Sequence, residues 1–98
     1  MIFLPRQLQR KFKHALDFGI TGHYNKINAG RFQAALQQHV SDANVQVIKG
    51  TYRGKPVTFY VNPNTRLTVI EDAGGHFVSG WKLGKPQLQH VLTHGKSN

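Results

Sequence analysis

Leu4, Leu8, Phe12, Ala15 and Leu16 recur at helical spacing, Pro5 suits a first helical turn, and Gly19 ends the run. The pattern predicts one amphipathic helix between Pro5 and Gly19. Thr21 to Lys26 is polar and reads as a loop. Asn28 offers an N-cap for a second helix with Phe32, Ala35, Leu36 and Val40 on one face, and Ser41-Asp42-Ala43-Asn44 breaks it. From Val45 the texture changes to short β-branched and aromatic runs between turn residues. Val45–Tyr52, Val57–Val61, Leu67–Glu71 and Phe77–Leu83 read as strands. Arg53-Gly54-Lys55, Asn62-Pro63-Asn64-Thr65 and Ala73-Gly74-Gly75 are the turns between them. Connections this short allow only an antiparallel meander. Gly84 ends the last strand, Pro86 starts a short helix with Leu88, Val91 and Leu92 inward, and Gly95–Asn98 reads as a loose tail. No repeat, linker or second domain is visible. Residues 1–98 form a single α+β domain, with two N-terminal helices packed on a four-stranded sheet and a short C-terminal helix.

Composition narrows the partner. Thirteen Lys and Arg face four Asp and Glu in 98 residues, a formal charge of +9. Such a charge is a cost to the compact state, and its usual use is attraction to polyanions by steering and counterion release. Interleaved Phe, Tyr and Trp favour nucleic acid over an anionic membrane surface. The absence of cysteine excludes disulfides and thiolate metal sites, so the fold needs no particular redox compartment. No apolar run approaches a membrane span. Met1-Ile2-Phe3-Leu4-Pro5 meets Arg6 too early for a secretory signal. Met1 is expected to mark a domain excised from the C-terminal part of a larger protein.

Two constellations carry candidate chemistry. On the first helix, turned at 100° per residue, Lys11 borders the apolar stripe and His14 lies one turn beyond on the same flank. Arg10 neighbours His14 at i−4, and Lys13 points to the opposite flank. Metal-free RNA cleavage uses the 2′-OH as nucleophile, and needs a proton acceptor, a proton donor and cations around the phosphorane-like transition state. An imidazole with an ordinary pKa of ~6.5, pushed down by cations, suits proton transfer, and lysines suit charge stabilisation. Taken alone, Lys-x-Lys-His is also what a solvated basic helix face looks like.

The second constellation is Ser79-Gly80-Trp81-Lys82. Strict alternation places Phe77, Ser79, Trp81 and Leu83 on one face, and His76, Val78, Gly80 and Lys82 on the other. A hydroxyl in that apolar row needs a partner, and a phosphate oxygen would supply one. Trp81 either stacks on a base or packs in the core. Lys49, Arg53 and Lys55 are a candidate substrate-binding edge, together with Arg10 and Lys82. His90 and His94 stand at i, i+4 with no nearby carboxylate, and Asp17, Asp42, Glu71 and Asp72 are too scattered for a metal-nuclease cluster. No metal or other cofactor is expected.

Three blocks together carry a resemblance: Lys11-Phe12-Lys13-His14-Ala15-Leu16-Asp17-Phe18-Gly19, Gly50-Thr51-Tyr52-Arg53-Gly54-Lys55-Pro56-Val57, and Ser79-Gly80-Trp81-Lys82. In order and spacing the chain resembles the colicin D nuclease-domain family, with related toxin domains of klebicins and contact-dependent inhibition systems. The resemblance implies a barnase/EndoU/colicin/RelE-like fold and a metal-independent endoribonuclease that cuts tRNA in the anticodon loop. It implies His14 as the catalytic histidine, Lys11 and Lys13 as the lysines of its motif, and Ser79 and Trp81 as residues of phosphate contact and substrate placement. It also implies an acidic cognate immunity protein that plugs a basic cleft. The domain is then expected to be monomeric, secreted within a larger toxin, and active in the cytoplasm of a target bacterium without inserting into its membrane. The competing reading is a non-catalytic basic RNA- or DNA-binding module. A membrane-acting peptide domain would need a long exposed basic helix, which this pattern lacks.

Overall fold

The computed structural model describes residues 1–97. Pro5 occupies the first turn of α1 (Pro5–Lys11), where its missing N–H costs nothing. The run predicted as one helix does not continue as an α-helix. It tightens at Phe12 into a seven-residue 3₁₀ helix (Phe12–Phe18), ended by Gly19 at φ +81°. The residues explain the change. Phe12, Ala15 and Phe18 repeat every three positions, the period at which 3₁₀ side chains eclipse, and all three turn to the core. Leu16, assigned to the apolar stripe by a 3.6-residue period, is instead 69% exposed, and Leu4 is 51% exposed.

The second helix, α2 (Lys26–Val40), starts earlier than predicted. Asn25, not Asn28, is its N-cap: Asn25 Oδ1 accepts the Asn28 N–H at 2.7 Å. The Asn28 side chain is used otherwise, donating to the His23 carbonyl. Phe32 and Leu36 are fully buried, and the Phe32 ring meets Phe12, Phe18 and Phe77 edge-on at centroid distances of 5.7, 6.0 and 6.5 Å.

Four antiparallel strands follow in the order β1-β2-β3-β4: β1 (Gln46–Tyr52), β2 (Lys55–Val61), β3 (Leu67–Asp72) and β4 (Phe77–Lys82). Each predicted strand is present. Arg53-Gly54, both at positive φ (53° and 78°), form a two-residue turn of the type whose twist suits a hairpin. One face of the sheet carries α1, the 3₁₀ helix and α2 around Phe32, Leu36, Val69 and Phe77. The other carries Val57, Phe59, Val61 and Ile70, partly covered by Leu83 and by Val91 of α3 (Lys85–His94).

Strict alternation fails in β4. A bulge shifts the register between Ile70 and Glu71, so that Glu71 pairs with Phe77 but Ile70 with Ser79. Phe77 therefore joins the helix-side core, while Ser79 and Trp81 lie on the face of Ile70 and Thr68. Gly80 faces the helices, where an added Cβ would stand 3.0 Å from Leu36 and 3.3 Å from Phe18.

The predicted loose tail is docked through Gly95, which is buried and whose carbonyl accepts the Thr51 N–H at 2.9 Å. The approach requires Gly50 in β1, where any Cβ would collide with that carbonyl. Asn98, counted in the predicted tail, lies outside the described residues.

His39 in α2 is buried, with Nε2 2.8 Å from the Tyr60 carbonyl and its ring against Phe18. Burial pushes its pKa below the ordinary value, outweighing the upward pull of the Tyr60 carbonyl and Asp42. The unfolded chain then binds a proton more readily than the folded one. Stability is expected to fall as pH drops through about 6.5 and below. Thermal melts between pH values of about 7.5 and 5.5 should show this, and His39→Gln should flatten that part of the profile. Thr68 Oγ1 is buried without a hydrogen-bond partner. Thr68→Val is expected to raise stability by about 1 kcal/mol, shifting Tm upward by roughly 4–8 °C.

Candidate active site

β4 is an edge strand, and an edge leaves backbone groups in need of partners. Two side chains from the N-terminal segment supply them. Gln7 Nε2 of α1 donates to the Val78 carbonyl at 2.5 Å, and Asp17 Oδ2 of the 3₁₀ helix accepts the Lys82 N–H at 3.0 Å. These bonds fasten the segment lengthwise along β4. In the 3₁₀ helix His14 and Asp17 fall in one row, three residues apart, with Lys11 at its N-cap. With Asp17 tied to Lys82, that row runs beside Trp81.

The His14 ring lies 6.4 Å from the Trp81 ring, tilted at 41°. Trp81 in turn lies 5.9 Å from Tyr52 on β1, and the Arg53 guanidinium sits 5.2 Å from the centre of the Tyr52 ring, over its face. Imidazole, indole, phenol and guanidinium thus form a continuous series across the sheet. Ser79, one pleat from Trp81 on the same face, is 1% exposed. Beside this series opens a cleft of about 440 Å³, walled by Arg10 and Lys11 on one side, Tyr52, Arg53 and Lys55 on another, and Val78 at its base.

The electrostatics follow from this gathering of cations. Burial, then Lys13, then Lys11 hold the His14 pKa below the ordinary imidazole range, with Asp17 opposing. Burial, then Lys13, Arg53 and Arg10, push the Lys11 ammonium down as well. His14 is therefore neutral near pH ~7 and able to take a proton, with cations beside it for an anionic phosphate. Asp72 also lines the cleft, but its Oδ1 accepts the backbone N–H groups of Gly74 and His76, both at 2.9 Å, which turns it toward its own hairpin.

The residues proposed from sequence separate into several places. His14, Trp81 and Ser79 come together at β4, and Lys11, Arg10, Arg53 and Lys55 gather in the adjoining cleft. Lys13 stands on the other flank of the helix, beside Thr21 and His23, as the helical wheel implied. Even so, its charge weighs more on His14 than that of Lys11. Lys82 lines a separate groove with Arg66 and Lys85. Lys49 is on the face of β1 opposite Tyr52, with Nζ 2.7 Å from Thr58 Oγ1, away from the cleft.

A sequence model of the family described as colicin D matches residues 7–91. The chain belongs to the colicin D family. It is 45% identical to colicin-D of Escherichia coli over 83 residues, 83% of this chain and 12% of that protein. A solved ribonuclease from Escherichia coli, complexed with its inhibitor protein, shares the fold with a TM-score of 0.82 and 39% identity, covering 92% of this chain and 99% of that one.

Sequence reading missed three residues that organise this colicin D-family site. Asp17 reads as a scattered acid, although its spacing of three from His14 is visible in the chain. Tyr52 and Gln7 give no signal, because their roles depend on strands and helices meeting far along the chain. The geometry makes the His14 titration a direct check of the arrangement. Its pKa, followed by proton NMR, is expected below about 6.5. Lys13→Gln should move it up by removing repulsion of the imidazolium, and Asp17→Asn should move it further down.

Proposed function

We propose that this chain is a ribonuclease toxin domain that cuts tRNA in the anticodon loop by attack of the 2′-OH on the adjacent phosphate, without a metal. The observation that carries the reading is His14, its pKa held down by burial and Lys13, set beside Trp81, which meets Tyr52 at the wall of a cleft lined by Arg10, Lys11, Arg53 and Lys55. Membership of the colicin D family supports it, as does the likeness to a ribonuclease bound by an inhibitor.

In this mechanism the scissile phosphate sits between His14 and Lys11. His14, uncharged because burial and Lys13 disfavour its protonated form, moves the proton at the reacting oxygens. Lys11 stabilises the charge that builds on the non-bridging oxygens, Lys13 acts from the other flank by keeping His14 uncharged, and Ser79, buried on the same strand face as Trp81, supports substrate placement. Trp81 stacks on a neighbouring base, a contact that tolerates any base because each has a π-face. The products are a 2′,3′-cyclic phosphate and a 5′-hydroxyl. An acidic immunity protein is the natural occupant of the cleft before release, by charge complementarity. The domain acts as a monomer in the cytoplasm of a target bacterium, delivered by a larger secreted toxin. No described helix is long and apolar enough to cross a membrane.

The test is incubation with total bacterial tRNA in EDTA, wild type beside His14→Ala. Discrete anticodon-loop cuts ending in cyclic phosphate are expected, slowed by ~10²–10⁴-fold in the variant. DNA of the same sequence should bind but remain intact, since it lacks the nucleophile. Cleavage of DNA in parallel, or cutting indifferent to His14→Ala, would overturn the mechanism. RNA binding with no cutting would favour a pure binding module.

A further inference from the structure

Beyond the cleft, β4 borders a second groove. Arg66 from the β2–β3 turn, Lys82 at the end of β4 and Lys85 at the start of α3 line it with Asn64, Thr65 and Leu88, and no carboxylate side chain stands among these described walls. Val78 lines the first cleft and Lys82 the second, so Ser79 and Trp81 lie between the two on a single strand.

Two of the three cations occupy positions that the fold by itself disfavours. Arg66 has φ +67°, the left-handed region that suits glycine. The turn pins it there: its N–H donates to the Asn62 carbonyl at 2.8 Å and its carbonyl accepts the Leu83 N–H at 2.8 Å. Lys85 is the first residue of α3, at the positive end of the helix dipole, and that helix has no acid in its first turn. Both placements concentrate uncompensated positive charge in one groove. An anion there would offset that charge, and a strained backbone such as that of Arg66 is a feature found at functional sites.

Among the described residues, the only other non-glycine residue at positive φ is also an arginine in a hairpin turn, Arg53 at φ 53°, which lines the first cleft. The two turns stand at opposite ends of β2, roughly 20 Å apart from its seven residues. A few extended nucleotides cover that span.

We propose that the Arg66–Lys82–Lys85 groove is a second phosphate-binding subsite for the same RNA strand, which runs along β4 between two arginine-tipped turns with the reacting phosphate at His14 and Trp81. This rests on the ribonuclease reading above and adds a direction and a footprint to it. The ligand is a phosphodiester of the substrate backbone flanking the scissile bond.

The test separates the subsite from the ribonuclease reading. In a His14→Ala background, which slows cutting enough for a binding measurement, an anticodon stem-loop is titrated at several salt concentrations with and without Arg66→Gly and Lys85→Gln. The double variant should bind about tenfold more weakly, with a salt slope shallower by about 0.7 for each single-strand phosphate no longer neutralised. In the active background it should raise KM for the stem-loop while leaving turnover of a trinucleotide too short to reach the groove unchanged. Its Tm should hold or rise, since glycine suits the Arg66 backbone and glutamine relieves the helix end. Equal affinity and an equal salt slope in the variant would overturn the subsite even if wild type cuts tRNA. Unchanged RNA binding with weakened binding of an acidic inhibitor protein would overturn it too, assigning the groove to that protein. Failure of the wild type to cut RNA at all would instead sink the ribonuclease reading.

Discussion

The edge of β4 is where this structure is decided. An unpaired edge strand presents N–H and C=O groups that must find water or a partner, and here the N-terminal segment covers them with the Gln7 and Asp17 side chains. A covering element of α-helical pitch would bring its functional side chains round the strand at 100° intervals. The 3₁₀ pitch instead sets His14 and Asp17 in line, and the Asp17 bond to Lys82 brings His14 beside Trp81 on β4. Gly80 completes the fit. With no side chain on the helix side, it lets Leu36 and Phe18 approach the sheet where Ser79 and Trp81 stand on its other face. One set of contacts buries the core and places the imidazole against the indole.

That arrangement divides labour between the faces of the sheet. The helix side is a closed apolar layer around Phe32, Leu36 and Val69, none of which reaches solvent. The other side is covered by α3 over only part of its area. What remains uncovered is the aromatic series of Tyr52 and Trp81, with the Arg53 guanidinium at one end and the His14 imidazole at the other. The molecule tolerates this because the charges sit on the rim, on turns and helix ends, where water screens their mutual repulsion. Desolvation tunes the proton affinity of a few groups, Lys11 and His14 among them.

Much of this is legible in the chain. The change from helical to alternating texture at Val45, and turn residues between each pair of strands, are enough for an α+β meander, because short connections leave no other topology. Sequence and structure part where two local solutions differ little in energy. Residues 12–18 satisfy both a 3.6- and a 3.0-residue period, and burial of Phe18 rather than Leu16 chooses between them. Asn25 and Asn28 are equally good caps by type, and only the bond from Asn28 to His23 shows which one is otherwise engaged. The bulge in β4 has no residue signature, and it reverses Phe77 relative to Ser79.

By itself, then, the chain determined its elements and their order, its basic character, and the presence of the Lys-x-Lys-His and Ser-Gly-Trp blocks. Those follow from local preference and composition, which act over a few residues. Tertiary structure decided that the two blocks meet, that Tyr52 and Asp17 join them while Lys49 does not, and that Arg66 and Lys85 form a second groove with Lys82. These are relations between residues far apart along the chain, and they depend on strand register, a bulge and the pitch of one short helix. Each is settled by packing energy summed over the whole core, so no local stretch of sequence could reveal it.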